Sequence, residues 1–155
     1  MSKLTPTLAG YMKQLSDGVF DLYRFVEQGG HLVGSEDCVG LAVGSAELRG
    51  KIATLRTVHP RLARQLDFLI NVIEADAAPL PGEARLPDMM RNETVFTLLY
   101  AANDLDLLPD EMPDFGFVDD TAVTEIVLSR HAPVFRRHCS AQRIEWTTIE
   151  PKPVG

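Results

Sequence analysis

Seven acidic side chains and no basic one lie between Tyr100 and Asp120, in the stretch YAANDLDLLPDEMPDFGFVDD: Asp104, Asp106, Asp110, Glu111, Asp114, Asp119 and Asp120. Hard divalent cations take oxygen ligands, so the first chemistry to test is Mg²⁺ or Ca²⁺ binding. A calcium loop of the EF-hand type wants acids at its first, third and fifth positions, glycine at the sixth and glutamate at the twelfth. Counted from Asp104, those later positions fall on Leu108, Pro109 and Phe115; counted from Asp110, the sixth is Phe115 and the twelfth Thr121. Both registers fail. A cation site of another kind, drawn from Asp104, Asp106, Asp110, Asp119 and Asp120, stays open as one reading of the stretch.

The competing reading is structural. Asp119 or Asp120 is placed to cap a following helix, and Asp106, Asp110 and Asp114 to accept backbone N–H groups in turns set by Pro109, Pro113 and Gly116. Caps and such turns are the commoner use of aspartate. Leu105, Leu107, Leu108, Met112, Phe115, Phe117 and Val118 are interleaved with the acids, more apolar mass than a solvated loop carries. Asp104 and Asp106 fit this reading least well. They are expected just past the C-terminal end of a helix, where negative charge is unfavourable. Arg130, or a cation, is the expected partner.

The same stretch, continued as YAANDLDLLPDEMPDFGFVDDTAVTEIVL, resembles the YkvA-like helical domain, a small bacterial domain of unknown function. The elements that carry the resemblance are Tyr100 ending a helix, Asp106-Leu107-Leu108-Pro109-Asp110, Pro113, Gly116, and Asp119-Asp120 opening the next helix. It is limited to about residues 96–128 of a segment drawn as 96–138. Asn103-Asp104 stands where the family commonly has a small residue and proline, and Glu111-Met112 replaces a more apolar pair. The resemblance implies an α-helical fold and supplies no catalytic residue.

Other motifs hold residue types with chemistry of their own. Gly50-Lys51 would need glycine at position 45 and Ser or Thr at position 52 to make a phosphate loop, and those positions hold Ser45 and Ile52. His131, His138 and Cys139, with His31, Cys38 or His59, have zinc-ligand chemistry but none of its pairing spacings. Cys38 or Cys139 as a nucleophile would need a base placed beside it. Basic residues gather at Arg49, Lys51, Arg56, Arg61 and Arg64, and again at Arg130, Arg136, Arg137 and Arg143. The expected use is a solvated face or pairing with the acidic connection.

The elements that position these residues read as helices. Over residues 6–28, Leu8, Tyr11, Met12, Leu15, Val19, Leu22 and Val26 recur at three- and four-residue steps on one face, with Thr5-Pro6 opening the helix and Gly29-Gly30 ending it. Gly18 lies inside it. Residues 29–44 are glycine-rich without helical period; the expectation is a loop that can include a helical turn, with Cys38–Val43 short enough for a strand. Ser45–Val58 is a helix capped by Ser45, with Leu48, Ile52 and Leu55 inward, broken at His59-Pro60. Arg61–Ala77 turns Leu62, Leu66, Leu69, Ile70 and Ile73 to the core. Pro87–Ala102 turns Met89, Phe96, Leu99 and Tyr100 inward. Asp120–His138 does so with Val123, Ile126, Val127, Val134 and Phe135, and Pro133 should kink or split it.

The expected architecture is an all-α, single-domain bundle of about five helices over residues 1–150, with a buried acidic helix–helix connection at 103–119 and a frayed tail at 151–155. Hydrophobic residues at 45% and charged residues at 24% are those of a globular chain. No apolar run approaches the roughly 18 residues of a membrane span. Net charge of −7 argues against duplex nucleic acid, and the basic clusters lack the aromatics of a single-strand platform. Two cysteines make no disulfide framework and the first residues do not read as a secretory signal, so a reduced, cytoplasmic setting is expected. The functional expectation is a protein without cofactor that acts through a protein partner, as adaptor, regulator or inhibitor. The alternatives are a divalent-metal-binding domain or metal-dependent hydrolase using the aspartates, and an immunity or antitoxin-like protein. Oligomeric state is not legible.

Overall fold

A computed structural model describes residues 8, 11, 21–78, 85–107 and 118–151, with the backbone alone at 104, 106, 107, 118 and 119. Among these residues the chain is all-helical: α1 (Leu22–Leu32), α2 (Ser35–Val43), α3 (Ser45–Leu55), α4 (Pro60–Ala77), α5 (Asp88–Leu107), α6 (Val118–Arg130) and α7 (Ala132–Gln142), then a 3₁₀ turn at Trp146–Thr148. Seven helices replace the expected five or so, and the reasons are local. No described helix is long and apolar enough to cross a membrane.

The long helix expected over 6–28 is interrupted. Asp21 is extended (φ −98°, ψ 91°) and its carboxylate accepts the Arg24 N–H, so a new helix starts at Leu22. Thr5, Pro6 and Gly18 lie outside the described residues. The helix also does not stop at Gly29-Gly30. Both glycines are helical and buried, and they bring α1 onto α5. A Cβ on Gly29 would sit 2.5 Å from the Phe96 ring, and one on Gly30 would sit 2.8 Å from Glu93 Cγ. The glycines serve close packing here rather than chain termination. Tyr11, Phe25, Phe96 and Tyr100 then stack around the junction, with ring centroids 4.9 to 6.2 Å apart, and Tyr11 donates its hydroxyl to the Phe25 carbonyl at 2.6 Å.

The expected loop at 29–44 is corrected as well. Residues 35–43 form α2, a full helix of nine residues where a loop with at most a helical turn, or a strand, was expected. Asp37 Oδ2 accepts the Gly34 N–H at 2.8 Å and so fastens the start of the helix, while Leu41 is buried. Gly44, not Ser45, stands at the cap of α3; the Ser45 hydroxyl instead reaches the Ala42 carbonyl and Glu74. Leu48, Ile52 and Leu55 are buried as expected, and the helix ends at Leu55. Pro60 opens α4 behind His59, and Leu62, Leu66, Leu69, Ile70 and Ile73 are all buried.

α5 is the centre. It touches α1, α2, α3, α4 and α6, and from Glu93 to Ala102 every residue is buried. An apolar face on one side was expected; burial on all sides is found, with Met89 only half-buried. Two threonines in this stretch satisfy themselves: Thr94 and Thr97 donate to the carbonyls of Met90 and Glu93 at 2.8 and 2.9 Å. The helix runs to Leu107, five residues beyond the expected end at Ala102. At the other end, Pro133 splits the last helix as expected, giving α6 and α7 with His131 between them.

Candidate functional site

Glu93 is the most buried ionisable side chain of α5, with none of it exposed, and it collects cations from the α6–α7 junction. Arg130 Nε donates to Oε1 at 2.9 Å and Nη2 donates to Oε2 at 3.1 Å, a two-pronged fit that only a guanidinium makes. His131 Nε2 lies 3.0 Å from the same Oε1. Arg130 also faces Glu27 of α1 at 3.6 Å. One buried carboxylate thus fastens α5 to the α6–α7 corner, and its arginine reaches on to α1.

Pro133 builds this site. Its ring would clash with the carbonyl four residues back and it has no N–H to give, so the helix cannot continue through it. The break leaves His131 outside regular helix, at φ −116° and ψ 23°, with its carbonyl taking the N–H groups of Val134 and Phe135. Arg130 ends one helix and His131 precedes the next, and both side chains turn back onto Glu93.

The electrostatics follow. Burial alone would push the Glu93 carboxyl up, but hydrogen bonds from His131 and Arg130, and their charge, outweigh it and hold the group below the usual glutamate range. An ionised carboxylate only accepts, so His131 Nε2 must carry a proton. Cys38 and Cys139 do not supply a thiolate beside it, since burial raises both thiols.

A second carboxylate, Asp76, closes the connection between α4 and α5. It accepts the Leu86 N–H at 2.7 Å and Arg91 Nε at 2.6 Å, with Arg85 at 3.7 Å. Arg91 in turn donates to the Leu86 carbonyl and to Asp88, each at 2.7 Å. This cluster holds backbone.

The residues expected to hold a cation are placed as follows. Asp104 and Asp106 lie inside the last turns of α5 rather than beyond its end, and Asp119 and Asp120 lie inside the first turn of α6 rather than capping it. Asp120 is buried. Asp110 lies outside the described residues, as does most of the expected connection at 103–119. Arg130, offered above as a partner for Asp104 and Asp106, spends its guanidinium on Glu93 and Glu27. Among the described residues no three His, Cys, Asp or Glu side chains gather as cation ligands. His131 is bound to Glu93, and Cys139 is buried against the core.

The basic residues divide. Arg56 pairs with Asp67 at 2.7 Å, and Arg49 pairs with Glu74 and Asp67, so α4 answers these two, while Lys51 pairs with Glu47 of its own helix. Glu93 itself was not foreseen. Its signal was available, since Glu93, Phe96 and Tyr100 share one face of α5 at helical spacing. No family model matches the chain, and neither a curated protein nor a solved structure is similar to it.

Proposed function

We propose that this chain acts through protein–protein contacts, as an adaptor, regulator or inhibitor, and that α2 carries the docking face. The observation that supports this reading is the exposure of two valines one turn apart on that helix: Val39 is 62% and Val43 81% exposed. Single exposed apolar residues are ordinary, but a pair on one helix face, continued by exposed Ala42 and Ala46, makes a patch that burial would stabilise. Exposed Glu36 flanks it, and Glu47, also exposed, is paired with Lys51 at 3.8 Å. The partner this face fits is an amphipathic helix of another protein, apolar along one stripe and basic at its rim.

The cytoplasmic setting, the single-domain bundle and the kinship with YkvA-like domains belong to the same proposal. They rest on cysteine usage, chain length and the spacing of Tyr100 to Asp120. An immunity or antitoxin-like protein is one form an inhibitor of this kind takes.

The test is affinity capture from native lysate with the tagged full chain, the Val39→Asp/Val43→Asp variant, and an Arg136→Glu control on α7. The expected result is a stoichiometric partner held by the wild type and the control and lost by the double variant. Equal recovery by all three, or no stoichiometric partner, overturns the α2 reading.

A further inference from the structure

A cavity of about 460 Å³ opens between the start of α5 and the outer side of α7, lined by Arg85, Leu86, Pro87, Val134, Arg137, His138 and Ala141. Its size is within the range of small-molecule sites, roughly 300 to 1,000 Å³. Its walls are of two kinds. Leu86, Pro87, Val134 and Ala141 are apolar, and Arg85, Arg137 and His138 supply donors at the rim.

The charge here runs against that of the chain. Net charge is −7, yet between Ile126 and Ile144 there are four arginines, two histidines and no acid. Arg130 is taken by Glu93, and Arg136 lies over the Trp146 ring at 5.4 Å. Arg137 lines the cavity, and no carboxylate among the described residues pairs with it. Arg85 lies 3.7 Å from Asp76, whose carboxylate is already filled by Leu86 N–H and Arg91. Asp76 offsets one cation, and Arg91 is further balanced by Asp88. Among the described residues one guanidinium is therefore left unbalanced beside an apolar cleft. The N-terminal end of α5, a helix of 20 residues, adds its partial positive charge at Pro87.

We infer that this cavity is a binding site for an organic monocarboxylate with an apolar body, its carboxylate on Arg137 and Arg85 and its chain against Leu86, Val134 and Ala141. The excess among the described residues is one positive charge, which suits a monoanion better than a dianion. A planar guanidinium matches the two carboxylate oxygens. The apolar walls add the burial that a bare inorganic anion does not use. This inference is independent of the α2 docking face.

The experiment is calorimetric titration of the full chain with sodium octanoate, with the neutral isostere octanamide, and with inorganic phosphate. Three chains are compared: the wild type, Arg137→Glu and Ala141→Phe. Arg137 and Ala141 are exposed, and circular dichroism checks that both variants keep the wild-type fold. Octanoate should bind the wild type one to one, with octanamide and phosphate each at least about ten-fold weaker. Arg137→Glu should lose at least about ten-fold through charge, and Ala141→Phe should lose as much through volume with the charge intact. Equal binding of octanoate and octanamide, undiminished binding by Ala141→Phe, phosphate binding as tight as octanoate, or no octanoate binding at millimolar concentration each overturns the inference.

Discussion

Arg130 meets Glu93 with two parallel N–H···O contacts, at 2.9 and 3.1 Å, although the two residues are 37 positions apart and only the arginine reaches solvent. The pair is therefore asymmetric. Arg130→Ala leaves a carboxylate buried with His131 alone and should cost about 3 kcal/mol. Glu93→Leu leaves an arginine that water and Glu27 can still solvate and should cost about 1 kcal/mol. Urea unfolding of both variants checks the order, and a larger loss for Glu93→Leu would contradict it.

The same carboxylate sets a pH window. Its folded-state titration lies below the usual glutamate range, so the unfolded chain takes up the proton first. The stability it contributes is complete above about pH 4.3, the ordinary glutamate value, and is lost as pH falls through the lower folded value. The wild type should be more stable than Glu93→Gln at pH 6, and the gap should narrow steadily as pH falls below about 4. Melting temperatures of the two proteins across that range measure it.

Two glycine substitutions should have opposite signs. Gly29→Ala drives a methyl to within 2.5 Å of the Phe96 ring and should destabilise by about 2 kcal/mol. Gly50→Ala in α3 meets nothing within 4 Å and should stabilise by about 0.5 to 1 kcal/mol through helix propensity and the stiffer unfolded chain. Denaturant midpoints of the two variants read the contrast directly.

Asp76→Ala would strip the Leu86 N–H and Arg91 of their shared acceptor at once. A loss of about 2 to 3 kcal/mol is expected, since both groups are left poorly satisfied. Asp88→Ala should stay within about 0.5 kcal/mol, because that carboxylate is 91% exposed on its side chain. Comparable losses for both would show that the α4–α5 clamp does not depend on Asp76.

The aspartates give a prediction of their own. The backbones of Asp104 and Asp106 lie in α5 and those of Asp119 and Asp120 in α6, with Asp120 buried. Millimolar Mg²⁺, Mn²⁺ or Ca²⁺ should leave the melting temperature unchanged. A rise of several degrees with any one of them would support the metal reading instead.

Much of the helical architecture was legible because burial repeats. Leu48, Ile52 and Leu55, or Leu62, Leu66 and Leu69, are spaced so that one face turns inward whatever the rest of the chain does. Pro133 was legible for the same reason, since its missing N–H acts locally. What sequence could not carry was tertiary. Gly29 and Gly30 look like a stop signal, and only the Phe96 ring and the Glu93 stem against them make them a contact surface. The low period of 29–44 hid α2, whose short span buries little beyond Leu41. The site at Glu93 is drawn from three helices, and no local pattern joins residue 93 to residues 130 and 131.

The unbroken burial of α5 from Glu93 to Ala102 has a consequence for how the molecule opens. Its neighbours lie on every side, so none of these amides can reach solvent by the fraying of one helix. Their hydrogen exchange should proceed only when the whole chain unfolds, at a free energy equal to the global value. Amides of α2, which rests on α5 by a single apolar side, should exchange through smaller openings. The slowest-exchanging stretch would then trace the helix on which α1, α2, α3, α4 and α6 all lean.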